Sequence, residues 1–341
     1  MRNCLLYIFI LSALTSCTEE SRYADITEKG PYQDGFFILG EDNSLGNIDY
    51  SSNDFTKFKT NVFFSENQEN LSSIPEGGLT YGKWLYLISD EGIIKIDRYT
   101  LKKDIARTDT EVRNLCDITV YKDHAYLSVA NTTAPKILKI DLSTLKTVDS
   151  LSLTSVPDKI FAFNNRIYTL IKGDDSQYSN KIIAINTGTF NIEKELNVGF
   201  GPNDFAPIGN QILISCHGHK TNGTNDEDGS LWVLSTNNTV KEVFNWSAIT
   251  PNIHEDIQGI GTSYNGLVYY LANAELYGVD GIDPNAFVQA SKLSDRQYDR
   301  ISVFNYKAVA VHKEDYKIDI FQDLELNKSI NSTAKPIIAV D

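Results

Sequence analysis

The sequence has a single methionine, the initiator, against 18 tyrosines and 16 phenylalanines. That balance suits strands better than helical bundles. Cysteine is scarce, at four residues. Cys4 and Cys17 fall at the N-terminus, leaving Cys116 and Cys216 in separate apolar runs. A bridge between them needs Cα atoms within about 7 Å. The two lie in repeat units that are not neighbours, so two buried free thiols are expected. Positive charge is also short, with 31 Lys and Arg against 45 Asp and Glu and a net charge of −14. The basic residues are scattered singly, which argues against a nucleic-acid surface. Beyond residue 17 no apolar run approaches the roughly 20 residues of a membrane-spanning helix. There is no Gly-rich phosphate loop, nucleophile elbow or helix-borne His pair, so neither an enzyme class nor a cofactor or metal is indicated.

What the chain does have is a recurring phrase. Ile96-Asp97-Arg98-Tyr99-Thr100-Leu101 returns as Ile140-Asp141-Leu142-Ser143-Thr144-Leu145 and as Ile185-Asn186-Thr187-Gly188-Thr189-Phe190. A weaker copy is Ile48-Asp49-Tyr50, running on to Asp54-Phe55. A period of about 45 residues with several strands per unit marks a β-propeller blade. The Asp or Asn is expected to cap a turn through backbone N–H groups, and the closing Leu or Phe to pack between blades. Second strands can be read at 36–39, 84–88, 125–129, 167–170, 212–215, 268–271 and 308–311. The expectation is an all-β, single β-propeller over residues 33–341, with seven blades of four antiparallel strands; six and eight are the neighbouring counts. Lys335–Val340 is the apolar segment expected to close the ring.

Residues 1–16 read as a lipoprotein signal peptide. Arg2 supplies the positive start, an apolar stretch follows, and Leu14-Thr15-Ser16-Cys17 has the order of a bacterial lipobox. That order is what acylation of the Cys17 thiol and cleavage ahead of it require. The plainer reading is a secretory signal with an incidental cysteine. Residues 17–32 then form a lipidated polar tether, and Thr18-Glu19-Glu20 resembles the surface-export tails of Bacteroidetes-type lipoproteins. The expected location is the outer membrane, lipid-anchored and facing the cell surface, with periplasm-facing attachment as the alternative.

In a propeller the B–C loops and the loops leading into each A strand share one face around the central channel. Two loops there are long. The blade-five loop carries His217 and His219, and the blade-four loop carries Asp174, Asp175, Gln177 and Tyr178. His-x-His with Asp226 or Asp228 is a weak metal motif without a third ligand at defined spacing, and a solvated loop tip is preferred. The approaches to the A strands add Glu76, Asp117, Asp158, Lys159, Asn203, Asp204, Gln258 and Arg300, a polar ring suited to a hydrogen-bonding ligand. Trp246, between blades five and six, is expected to be an exposed stacking platform.

Several of these features together resemble the YncE-like propeller lipoproteins of Bacteroidetes-type bacteria. They are Gly35-Phe36-Phe37-Ile38-Leu39, the Ile-Asp-x-x-Thr-Leu phrases, Gly201-Pro202 and Gly229-Ser230-Leu231-Trp232-Val233-Leu234. Members of that group include surface lipoproteins that capture cobalamin and pass it to a TonB-dependent transporter. The resemblance implies a non-catalytic capture role for a small molecule, a corrinoid or another nutrient, with such a transporter as partner. A protein-interaction scaffold and a metal-dependent propeller hydrolase or lactonase, drawing on His217, His219, Asp158 and Asp204, are the alternatives.

Overall fold

The computed structural model describes residues 30–173, 179–219, 227–248 and 256–341. The signal peptide, Cys17 and most of the tether lie outside the described residues. So do Asp174, Asp175, Gln177, Tyr178 and Asp226.

Seven sheets of four antiparallel strands form the molecule. Within each, strands A to D run from the innermost to the outermost. Blade 2, for example, comprises Pro75–Tyr81, Trp84–Ser89, Gly92–Asp97 and Lys103–Arg107. Blade 1 takes its A strand from the far end of the chain: Lys335–Val340 pairs antiparallel with Gly35–Asp42, as the apolar tail predicts. The seven-blade count and the all-β class hold. The B strands read as near-continuous apolar runs because both faces are covered; Trp84–Ser89 and Lys307–His312 are each buried at all but their first residue. The D strands face solvent, as in Glu325–Asn331.

The core is divided. Seven apolar clusters lie one between each pair of neighbouring blades, from Phe37, Leu39 and Leu85 between blades 1 and 2 to Phe36, Val309 and Ile320 between blades 7 and 1. Each fully buried large side chain contributes about 1.5–3 kcal/mol. No blade buries its faces alone, so the ring stands or falls as a unit.

The recurring phrase is a turn, as expected. Asp97 Oδ1 accepts the amides of Tyr99 and Thr100, Asp141 Oδ1 those of Ser143 and Thr144, and Asn186 Oδ1 those of Gly188 and Thr189. The closing Leu101, Leu145 and Phe190 are buried between blades in a left-handed conformation, with φ of 57°, 56° and 51°. The weaker copy is out of register. Gly35 pairs with Ser52, so Ser52 rather than Asp49 holds the position of Asp97. Asp49 is instead buried within its strand, accepting from Asn47, the Asn61 amide and Ser332.

Two short helices replace most of a D strand. Helix α1, Val62–Asn67, follows a two-residue strand in blade 1, and helix α2, Pro284–Val288, precedes one in blade 6. Tyr32, placed in the tether by sequence, packs edge-on against Tyr50 and donates to Glu66. Cys116 and Cys216 are free thiols, as expected, but only Cys216 is buried. Among the described residues no helix is long and apolar enough to cross a membrane.

Candidate functional site

The site begins with an irregularity repeated seven times. Each A strand pairs with its B strand through its first residue, or its first two in blade 1, bulges, and then resumes pairing. A bulge inserts an unpaired residue and re-aims the side chains around it. The inserted residues are Glu76, Cys116, Asp158, Asn203, Gln258, Asp299 and Ile337, and the residues just past them are Gly77, Asp117, Lys159, Asp204, Gly259, Arg300 and Ile338. These two rings encircle the start of the channel. The loop expectation is met there too, because the Ala130, Lys172 and His217 amides in B–C loops donate to Asn114, Val156 and Gly201 ahead of the A strands.

The channel is a cavity of about 1230 Å³. Glu76, Asp158, Lys159, Asn203, Asp204, Gln258 and Arg300 all line it, so seven of the sequence-derived candidates converge. Asp117 sits in the same ring, with its Oδ2 accepting the Ile160 amide of the next blade at 3.0 Å. Asp204 repeats the arrangement two blades on, taking the Phe205 amide at 2.9 Å and the Ile260 amide at 3.3 Å. Each carboxylate thereby satisfies an amide on the otherwise unpaired inner edge of a sheet. Asn203 joins blades 5 and 6, its amide donating to the Ile257 carbonyl while its oxygen accepts from Ser215. Gln258 Oε1 accepts the Ala274 amide at 2.9 Å.

Burial pushes both ring carboxylates upward, Asp204 to about 6, with Lys159 pulling against the shift. Asp117 in turn holds the Lys159 ammonium above the ordinary lysine value. Cys116 lines the same wall, and burial pushes its thiol up to about 11.

Other candidates lie elsewhere. His217 Nδ1 stands 3.4 Å from Asp256 Oδ1, and His219 pairs through its backbone with Glu227 while its ring lies 5.8 Å from Phe200. Neither lines the cavity. Among the described residues no three His, Cys, Asp or Glu side chains gather as a metal site. Trp246 is not an exposed platform. It is 5% exposed and packs among Phe244, Tyr270 and Tyr277, beside the fully buried Phe287 of α2. The exposed aromatic pair is Tyr264 and Tyr306, 76% and 52% exposed and edge-to-face at 5.9 Å. It stands on the A–B turns at the opposite end of the channel, where Tyr264 and Asn305 line the cavity.

At the bulge positions, Cys116 and Asp299 are the lining residues that sequence reading passed over. Aligning the A strands on the seven B strands places both at the bulge position, so the signal was available.

The profile of DUF5074, a domain of unknown function, matches residues 34–266. The chain belongs to the DUF5074 family. The match spans blades 1 to 5 and enters blade 6, while the other DUF5074 channel residues, Asp299 and Arg300 among them, lie beyond it. No curated protein matches the chain. Among solved structures, this DUF5074 propeller is similar to a functionally unknown protein from Desulfotomaculum acetoxidans, at TM-score 0.63 and 12% identity, over 89% of this chain and 98% of that one. It is similar to Kuenenia stuttgartiensis hydrazine synthase at TM-score 0.62 and 10% identity, over 91% and 99%. It is also similar to apo AztD from Citrobacter koseri at TM-score 0.53 and 10% identity, over 90% and 97%. At such identities the likeness is one of fold.

Proposed function

We propose that this DUF5074 propeller is a non-catalytic, lipid-anchored binding protein of the outer membrane, facing the cell surface and holding a small ligand in its central channel. The observation that carries this reading is the convergence of bulge residues from six of the seven A strands, Glu76, Cys116, Asp158, Asn203, Gln258 and Asp299, on one cavity of about 1230 Å³. Concave sites with a few convergent polar groups are where small ligands bind.

Binding is favoured over catalysis by how those groups are used. Both ring carboxylates are committed to backbone amides, and the one lining thiol among the described residues has its reactive thiolate disfavoured at neutral pH. A hydrolase would need His217 to meet Asp158 or Asp204, yet His217 pairs with Asp256. The lipobox ending at Cys17 and the acidic Thr18-Glu19-Glu20 support the anchor and its placement. Resemblance to YncE-like lipoproteins makes a corrinoid the first ligand to test and a TonB-dependent transporter the expected recipient.

Calorimetric titration of cyanocobalamin into the purified protein tests this. Sub-micromolar binding supports corrinoid capture. No heat at micromolar concentrations removes the corrinoid, and failure of a broad nutrient screen removes ligand capture altogether. A scaffold for another protein is the second reading, supported by the exposed Tyr264–Tyr306 pair. A co-purifying membrane partner without small-molecule binding favours it.

A further inference from the structure

The ring just past the bulges has an order. Over blades 2 to 6 it reads Gly77, Asp117, Lys159, Asp204, Gly259, symmetric about the lysine, and Arg300 and Ile338 complete the circle. Asp117 and Asp204 are engaged by the Ile160, Phe205 and Ile260 amides. Lys159 and Arg300 are not engaged in that way. Among the described residues neither side chain makes a hydrogen bond or an ion pair within 4.0 Å, although both residues line the cavity. Three blades separate them, the widest spacing a seven-membered ring allows, so their long side chains enter from opposite walls. They still sense one another, since the Arg300 charge bears on Lys159.

Asp117 and Asp204 keep the Lys159 ammonium charged from a distance, but neither bonds to it, so its donors remain available to a ligand in the channel. The two ring glycines leave space for that. A Cβ at position 259 would meet Ile301 at 3.6 Å and Asp204 Oδ2 at 3.7 Å, and one at position 77 would meet Ile88 at 3.7 Å and Asp117 Oδ1 at 3.9 Å, so neither glycine contributes a side chain to the ring beside these carboxylates. The arc from Gly259 through Arg300 and Ile338 to Gly77 thus carries positive charge alone. Just above it the bulge ring presents Glu76, Asp158 and Asp299, none in an ion pair within 4.0 Å among the described residues. That acidic rim discourages polyanions and favours a ligand whose outer end is neutral or cationic.

We propose that the channel takes a small ligand bearing one carboxylate or phosphate group, held between Lys159 and Arg300, with its neutral or amine-bearing end toward Glu76, Asp158 and Asp299. This rests on the reading of the channel as a ligand site and names the chemistry the site selects.

The test is calorimetry on purified protein with five probes: acetate and glycine for carboxylates, inorganic phosphate and phosphoethanolamine for phosphates, and ethanolamine as the amine alone. At least one anionic probe is expected to bind in the millimolar range or better, with glycine or phosphoethanolamine ahead of its bare anion. Ethanolamine is expected not to bind. The carboxylate and phosphate arms decide which anion the site prefers. Lys159→Met and Arg300→Gln should each weaken that binding at least tenfold, while Lys159→Arg keeps it within about threefold of wild type. Circular dichroism and thermal melts confirm that each variant folds. Binding of ethanolamine alone, or anion binding unchanged in both variants, overturns the proposal. Cyanocobalamin titrated into the same variants separates the two readings. Corrinoid binding that is indifferent to both substitutions, without anion binding, leaves ligand capture standing and sinks the anion clamp; no binding of any probe or of the corrinoid counts against both.

Discussion

Arg296 reaches the buried carboxylate of Asp319 in blade 7, with its Nη1 2.6 Å from Oδ2. The Tyr298 hydroxyl donates to the same carboxylate at 2.8 Å and Ser329 Oγ at 2.5 Å, and His312 Nε2 lies 2.9 Å away. Burial would raise this carboxyl, but the surrounding donors outweigh it and hold the group below the ordinary value. A depressed folded pKa gives stability that is present above the unfolded value of about 3.9 and lost as pH falls through the folded one. Asp319→Ala leaves the buried Tyr298 hydroxyl and His312 without their acceptor while half-exposed Arg296 turns to solvent, and should cost roughly 1–3 kcal/mol in denaturant unfolding at pH 7. The deficit should shrink toward pH 2, where wild type loses the same contribution.

Asp204 has the opposite sign. Its folded pKa of about 6 exceeds the ordinary aspartate value of 3.8, so the folded state binds the extra proton and stability falls as pH rises between those values. Asp204→Asn removes the buried charge and keeps one oxygen, so only one of the Phe205 and Ile260 amides retains its acceptor. Relative to wild type, its stability should climb by about 1–3 kcal/mol between pH 4 and pH 7.5, from a deficit at pH 4 set by the lost bond. Thermal melts of the two proteins across that range measure the difference. A stability difference that does not change with pH would contradict the account.

Leu145 combines full burial with a φ of 56°. Truncating a buried leucine to alanine costs about 2–5 kcal/mol. Glycine removes one carbon more, yet it occupies the left-handed region freely. Leu145→Gly should therefore be at least as stable as Leu145→Ala, reversing the usual order, and paired chemical denaturation curves decide it.

The two folded-domain thiols should separate by reagent. Cys116 opens on the channel while Cys216 is fully buried, with burial pushing both thiols up. A small disulfide reagent should modify Cys116 first, at a rate that climbs with pH toward about 11. A bound channel ligand should slow it. Mass spectrometry of the modified peptides reads the order directly.

What the sequence revealed depended on how local the cause was. The turn after strand C lies within six residues, so Asp97, Asp141 and Asn186 announced their hydrogen bonds in order and type. The bulge ring was legible because the same A-strand approach recurs in blade after blade. Trp246 misled because its neighbours Phe244-Asn245-Trp246-Ser247 look like a connection between blades, whereas its covering comes from Tyr270 and Tyr277, distant in sequence. Asp49 misled through a chance Ile-Asp pair three residues ahead of the true turn position. The uncommitted state of Lys159 and Arg300 depends on distances across a closed ring, which no single blade encodes.

The pairing of Lys335–Val340 with Gly35–Asp42 makes a segment synthesised after all the other described strands the one that seals the first blade. Until it arrives, the edge of the first strand stays open and the inner wall of one blade is missing. Length is thereby proofread. A chain cut short by stalling or clipping keeps an unpaired edge and an unsealed core, marks on which proteases act. Pairing of that segment removes both marks in one step.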